Sequence, residues 1–185
     1  MSNEYKDWEA ERIEEEKQIV TKYPFLHLRN IDGTVDNDSK FPMICLEIPN
    51  GWYKLFFQLC KDITPILDEE NKLNEFYFIQ VKEKYNYLRC YCSNNTPLKV
   101  LEVIAKYEQM SQYICTVCGQ PATYQTQGYI ASFCTSCWKN YARQEKVGQI
   151  ISFKPYFIVD SDTEGVHCDE KMISFADEWA RLFGE

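Results

Sequence analysis

Cys115-Thr116-Val117-Cys118-Gly119 and Cys134-Thr135-Ser136-Cys137-Trp138, with fifteen residues between Cys118 and Cys134, decide how the C-terminal third of this chain is read. Each Cys-x2-Cys pair turns two thiolates toward one point. Two such pairs at this separation complete the tetrahedron of a four-sulfur zinc site. Gly119 allows a tight knuckle whose amides can donate to the sulfurs. Residues 123–126 and 129–133 flank Gln127-Gly128 in the pattern of a β-hairpin. The second pair then runs into a predicted helix over 138–145, whose positive N-terminal end favours thiolates. Knuckle, hairpin and ligand-bearing helix is the treble-clef order; a zinc ribbon is the alternative reading.

The chemistry of the four ligands sets the predicted role. A catalytic zinc keeps one position for water and usually draws on His or a carboxylate, and the module has no His. Cys115, Cys118, Cys134 and Cys137 are therefore read as ligands of one structural Zn²⁺. A redox pair would need one Cys-x2-Cys, not two, and four unliganded thiols at this spacing would be a coincidence. Tyr113 to Gly148 holds three bases and one acid, a surplus that the two negative charges of a four-thiolate zinc cancel. The module thus lacks the basic excess that phosphate binding demands, although Lys139, Arg143 and Lys146 form one local stripe.

Upstream of the module the apolar pattern predicts an α+β core. Residues 43–48 read as a short strand stopped by Pro49-Asn50-Gly51. Trp52, Leu55, Phe56, Leu59, Cys60 and Ile63 then recur at helical spacing as a core stripe. Pro65, lacking the amide proton that a helix interior uses, is expected to kink or end that helix. Residues 76–81 and 87–92 predict a strand pair with a turn near 84–86. Thr96-Pro97 starts a helix that buries Val100, Val103, Ile104, Tyr107 and Met110.

The flanks are acidic. Residues 3–22 predict a mostly exposed, Glu-rich helix, followed by a polar loop over 30–40 with an Asp32-Gly33 turn. Residues 150–159 read as a strand, 160–169 as an acidic loop, and Met172, Phe175, Ala176, Trp179, Leu182 and Phe183 as the face of a terminal amphipathic helix that packs on the core. The predicted organisation is an acidic helical arm and loop over 1–40, an α+β core over 41–112, the four-cysteine zinc module over 113–148, and a strand and helix over 149–185. The fold class is α+β, a small mixed sheet with packed helices and a treble-clef or zinc-ribbon module.

Composition narrows the function classes. The 185 residues carry a formal charge of −8, and 45% are hydrophobic, enough for a real core. No apolar run approaches the roughly 18 residues of a membrane span, and no basic segment leads into an apolar one at the N-terminus, so a cytoplasmic protein is expected. Nine cysteines with two Cys-x2-Cys pairs favour metal over disulfides and a reducing compartment. The charge argues against bulk nucleic-acid binding, although six bases outnumber three acids between Lys72 and Lys106. No Walker or dinucleotide glycine pattern exists. A Cys/His nucleophile would have to use His27 or His167, neither in a recognisable signature, so no enzymatic activity is expected.

Two weaker constellations remain. Lys82, Lys84, Arg89 and Tyr91 concentrate charge and aromatic surface in one hairpin, as an anion or partner site or as a lysine-protected sheet edge. Cys90 and Cys92 could join His167 and Cys168 around a second metal, but reduced thiols are among the most buried residues, so packing is the expected role, as for Cys45 and Cys60.

Three ordered strings carry a resemblance: Gly51-Trp52-Tyr53-x-Leu55 to Cys60-x2-Ile63; Gln80-Val81-Lys82-Glu83-Lys84-Tyr85-x2-Leu88-Arg89-x-Tyr91; and Met110-Ser111-x2-Ile114-Cys115-x2-Cys118-Gly119. Over residues 43–137 the chain resembles a family of small zinc-binding proteins common in phages and prophages. That family has no assigned activity, so the resemblance implies a phage setting, a host-cell cytoplasmic location and zinc, not a mechanism. Many relatives end near the second ligand pair, sometimes with His in it. Here Cys134 and Cys137 complete four sulfurs, and the acidic arm and the C-terminal strand and helix look like additions. The leading expectation is a non-enzymatic accessory protein that binds a protein partner, with a host factor or defence component as the candidates. The alternatives are a nucleic-acid-binding zinc regulator using Lys82, Lys84, Arg89 and the Lys139 to Lys146 stripe, and, more remotely, a small-nucleotide binder.

Overall fold

The computed structural model describes residues 3–126, 130–145 and 155–157. They form four α-helices and two small three-stranded sheets, an α+β arrangement with the cysteine module in its second half. The helices are α1 (Asn3–Lys22), α2 (Tyr53–Glu69), α3 (Leu98–Ser111) and α4 (Thr135–Glu145). The first sheet has the order β1 (Leu46–Glu47), β2 (Phe78–Lys84), β3 (Tyr87–Cys92). In the second, β4 (Tyr124–Thr126) lies between β5 (Ser132–Phe133) and β6 (Pro155–Phe157).

β1 pairs with β2 in parallel, Leu46 opposite Val81 and Glu47 opposite Lys82, with α2 lying between the two strands in sequence. A parallel pair needs such a crossover, whereas β2 and β3 are joined by two residues alone. Those residues, Tyr85 and Asn86, both have positive φ, 54° and 63°, the signature of a type I′ turn, which matches the twist of the flanking strands. The sheet is mixed, as expected.

Three expectations about this region change, and of the kink or end expected at Pro65 it is the end that does not occur. α2 continues to Glu69, and Ile63 and Leu67 on either side of Pro65 are fully buried. One missing backbone hydrogen bond is outweighed by the burial of these side chains, each contributing roughly 1.5–3 kcal/mol. Cys45 is exposed rather than packed, because Ile44, Leu46 and Ile48 alternate inward around it and leave it on the opposite side. The strand expected over 43–48 is also shorter, with Met43 joined to His27 by an isolated bridge.

The chain divides into two compact units, each assembled from separate stretches. The first takes the residues through Glu47, then Leu59–Lys82 and Arg89–Ala105. Its centre is aromatic: Phe25, Phe76 and Phe78 meet edge to face with ring centroids 5.1–5.9 Å apart, beside buried Leu59, Ile63, Leu67, Val81 and Val100. Glu16, nearly buried on α1, accepts from Arg12 and from the Met43 amide at 3.4 Å. The acidic helix is thereby anchored on one side and not solvated all round.

The second unit takes Ile48–Gln58, Glu83–Leu88 and the chain from Lys106 onward. Trp52, Leu55, Phe56, Leu88, Tyr107 and Ile114 are among its most buried described side chains. The predicted buried face of α3 is observed at Val100, Ile104, Tyr107 and Met110, with Val103 half-buried. Of the strand predicted over 150–159, Pro155–Phe157 is described and pairs with β4. The predicted acidic loop over 160–169 and the amphipathic helix over 172–183 lie outside the described residues.

Candidate metal centre

Two backbone segments, each carrying two cysteines, converge on one point. After α3, Ile114 forms an isolated bridge with Pro121, and between them Cys115 to Gly119 folds into the first knuckle. The knuckle is closed by the Cys115 amide donating to the Gln120 carbonyl (2.8 Å) and the Gly119 amide donating to the Cys115 carbonyl (3.0 Å). Gly119 has φ 77°, a conformation that costs glycine nothing and a side-chain-bearing residue about 1 kcal/mol or more. β4 and β5 then form the hairpin, Tyr124 opposite Phe133 and Gln125 opposite Ser132. Cys134 precedes α4 directly, and Cys137 sits in its first turn, its amide donating to the Cys134 sulfur at 3.4 Å.

The thiols of Cys115, Cys118, Cys134 and Cys137 all lie within 4.8 Å of one another, and the Cys118 and Cys134 sulfurs are 3.6 Å apart. Among the described residues this is the one group of three or more His, Cys, Asp or Glu side chains arranged to hold a metal ion. Cys115 is buried completely, whereas Cys118 reaches solvent. Burial opposes ionisation of Cys134, but the Cys137 amide and the neighbouring thiols donate to its sulfur and hold it below the ordinary thiol range. Burial and the adjacent sulfurs push Cys137 well above that range, and burial raises Cys118 against the opposing Gln120 amide. Four sulfurs this close cannot all shed their protons unaided. A divalent cation at their centre removes the conflict, because each thiolate then faces positive charge.

The mount beneath the cluster is the finding that sequence reasoning did not supply. Gly51 lies against the first knuckle, its amide donating to the Thr116 carbonyl at 3.0 Å. A Cβ on Gly51 would stand 2.1 Å from the Cys115 carbonyl oxygen and 2.7 Å from the Gly119 nitrogen, so glycine alone fits. Trp52, fully buried beside it, donates its indole N–H to the Ile114 carbonyl at 3.3 Å, one residue before the first cysteine. From the other side Thr116 donates through its amide (2.9 Å) and hydroxyl (3.1 Å) to the Ser132 carbonyl, fixing the knuckle to the hairpin.

The β2–β3 turn completes the mount. Asn86, almost wholly buried, donates through its side-chain amide to the Ser132 hydroxyl at 2.7 Å, and Ser132 donates to the Gln112 carbonyl at 2.5 Å. The Glu83 carboxylate accepts from the Asn86 amide at 2.6 Å. The Leu88 amide donates to the buried Ser111 hydroxyl at 2.8 Å, and that hydroxyl donates to the Glu108 carbonyl. Behind the hairpin, Tyr124 stacks on Trp138 at 5.6 Å and Phe133 on Tyr141 at 5.1 Å, tying α4 to the strands.

The other predicted sites are less organised. The Lys82 ammonium lies 5.2 Å from the Tyr91 ring centre, a cation–π pair, and Arg89 is half-buried. The Lys84 ammonium sits over the ring of Tyr85 instead. Cys90 and Cys92 are half-buried, with the Cys92 thiol 3.7 Å from the Cys90 carbonyl; His167 and Cys168, invoked for a second metal, lie outside the described residues. Of the basic stripe, Lys139 is exposed, whereas the Arg143 side chain and Lys146 are outside the described residues. No helix among the described residues is long and apolar enough to cross a membrane. Comparison with protein-family models, with curated proteins and with solved structures gives no match, so the four-thiol cluster and its mount are what the functional reading rests on.

Proposed function

We propose that Cys115, Cys118, Cys134 and Cys137 hold one structural Zn²⁺ and that the protein is a non-enzymatic, phage-type accessory factor acting by binding another protein, a host factor or defence component. The observation that carries the metal is the convergence of four thiols within 4.8 Å on a glycine-tight backbone mount. Thiolate is a soft donor, and a closed set of four suits tetrahedral Zn²⁺ and leaves no position for a reactive water. When bound, the ion supplies only charge and geometry: it neutralises the thiolates and cross-links α3, the hairpin and α4.

The protein-binding reading is supported by what the surface offers. Tyr85 is 74% exposed at its turn, and Ile79 and Tyr91 are exposed on β2 and β3. Aromatic side chains of this kind anchor interfaces, while a net charge of −8 repels nucleic-acid phosphates and steers toward basic proteins. Zinc-loaded protein, used as bait against host lysate treated with nuclease and washed at high salt, is expected to retain a stoichiometric protein partner. Retention of nucleic acid alone, released by salt and weakened by charge reversal at Lys82 and Arg89, would favour the regulator reading instead.

A further inference from the structure

The four thiols are not equally placed, and the difference assigns a modification site. Cys115 lies entirely inside, beneath the Gly51 backbone, and Cys134 is nine-tenths buried. Cys118 is the most exposed member of the cluster, Cys137 being half-buried, and its sulfur is 3.6 Å from that of Cys134. An oxidant arriving from water therefore reaches Cys118 first and finds a partner sulfur already in contact. We propose that Cys118 and Cys134 form an oxidation site, closing to a disulfide that releases the metal and unlocks the Gly51-Trp52 mount. This inference rests on the zinc reading above for the released ion, though not for the disulfide.

With hydrogen peroxide as the oxidant, the chemistry balances without another participant. The Cys118 sulfur attacks one peroxide oxygen, the O–O bond breaks, and a sulfenic acid and one water result. The Cys134 sulfur then attacks the Cys118 sulfur, the S–O bond breaks, and a second water leaves as the S–S bond forms. Two sulfurs together lose two electrons, which reduce one peroxide to two waters; the two protons come from the thiols, or from solvent where the sulfurs were metal-bound thiolates. Two of four thiolate ligands are consumed, and the remaining Cys115 and Cys137 cannot close a tetrahedron.

The disulfide also strains the mount. An S–S bond is about 2.05 Å long, so the two sulfurs must approach by roughly 1.5 Å. Gly119, next to Cys118, has its amide nitrogen 2.7 Å from where a Gly51 Cβ would lie, leaving no slack on that side. Movement of the first knuckle is therefore passed to Gly51 and to the Trp52 indole bonded to the Ile114 carbonyl.

The test begins with metal analysis of the purified protein, which judges the zinc reading by itself. The loaded protein is then titrated with hydrogen peroxide while a chromophoric chelator reports free zinc. A chymotryptic map, cleaving at Tyr124 and Phe133 and sequenced by tandem mass spectrometry, locates the disulfide. About one zinc is expected per peroxide consumed at the cluster, together with a Cys118–Cys134 disulfide and recovery on adding dithiothreitol and zinc. A C45S variant, which removes the cysteine that is exposed outside the cluster among the described residues, should behave identically. Zinc retained while Cys45 alone is oxidised, or a first disulfide joining any other pair, would overturn the proposal. If the protein carries no zinc, the zinc reading fails, and the peptide map still decides the disulfide.

Discussion

Of the three described glycines, Gly51 has the least room for a methyl group, and replacing it with alanine should be strongly destabilising. The new Cβ would stand 2.1 Å from the Cys115 carbonyl oxygen, against 3.4 Å for ordinary contact, so the strands of backbone must part by about 1.3 Å. The atoms in the way, the Cys115 oxygen, the Gly119 nitrogen and the Thr116 carbon, all belong to the main chain, and no rotamer change relieves the clash. Parting them breaks the Gly51 to Thr116 hydrogen bond and loosens the one from the Trp52 indole to Ile114, each worth about 1 kcal/mol. It also opens a gap behind a fully buried tryptophan, adding roughly 1–3 kcal/mol. The total, about 3–5 kcal/mol, is a large part of the roughly 5–15 kcal/mol that stabilises a typical domain. Gly33→Ala provides the calibration: φ there is 86°, but the nearest atom is the Tyr77 hydroxyl, on a side chain that can move, so about 1 kcal/mol is expected. Urea unfolding of both variants in excess zinc, with chelator competition for metal affinity, checks the prediction. Gly51→Ala unfolding within about 1 kcal/mol of wild type, with unchanged zinc affinity, would refute the claim that the Gly51-Trp52 segment holds the first knuckle.

Other perturbations separate the cluster from its surroundings. Chelation should release one equivalent of metal and lower the thermal midpoint markedly, with the signal of Trp138, stacked on Tyr124, changing in step; differential scanning calorimetry and fluorescence follow both. Asn86→Ala removes the buried amide bonded to Ser132 and should cost about 1–3 kcal/mol in denaturant unfolding while leaving zinc stoichiometry at one. Lys82→Ala, which deletes a pairing with the ring of Tyr91 at a solvent-facing site, should change stability by no more than about 1 kcal/mol, so any large loss of partner binding would be a surface effect. Pro65→Ala should raise stability by up to about 1 kcal/mol, since α2 runs through an exposed proline and the variant regains a helix hydrogen bond, as guanidinium titration would show.

What was legible in the sequence was what repeats with a period or a fixed spacing. The stripe of Leu55, Phe56, Leu59, Cys60 and Ile63 on α2, with Trp52 in the turn just before it, was readable because 3.6-residue spacing has one structural solution, and all six are fully buried. The cysteine cluster was readable because two short knuckles are the local means of bringing four sulfurs together. Of the kink or end expected at Pro65, the end does not occur, because that rule concerns a local hydrogen bond while tertiary burial of Ile63 and Leu67 carries α2 on to Glu69. Cys45 misled because the burial habits of cysteine were applied without the alternation that places Ile44, Leu46 and Ile48 inward.

The mount was illegible for a different reason: its contacts join residues far apart in sequence through single hydrogen bonds, which leave no periodic trace. The Gly51-Trp52, Gln80 to Tyr91 and Met110 to Gly119 strings look unrelated when read in order. In space, Gly51-Trp52 meets Ile114 to Gly119, Asn86 in the Tyr85-Asn86 turn meets Ser132, and Leu88 meets Ser111. Each string therefore supplies one strut to the same support, and a glycine, an asparagine and a serine stand where a close backbone approach, a buried donor and a buried acceptor require them. Exposed Tyr85, Ile79 and Tyr91, the two tyrosines beneath the ammonium groups of Lys84 and Lys82, are the surface of the same hairpin on which the proposed partner binding rests.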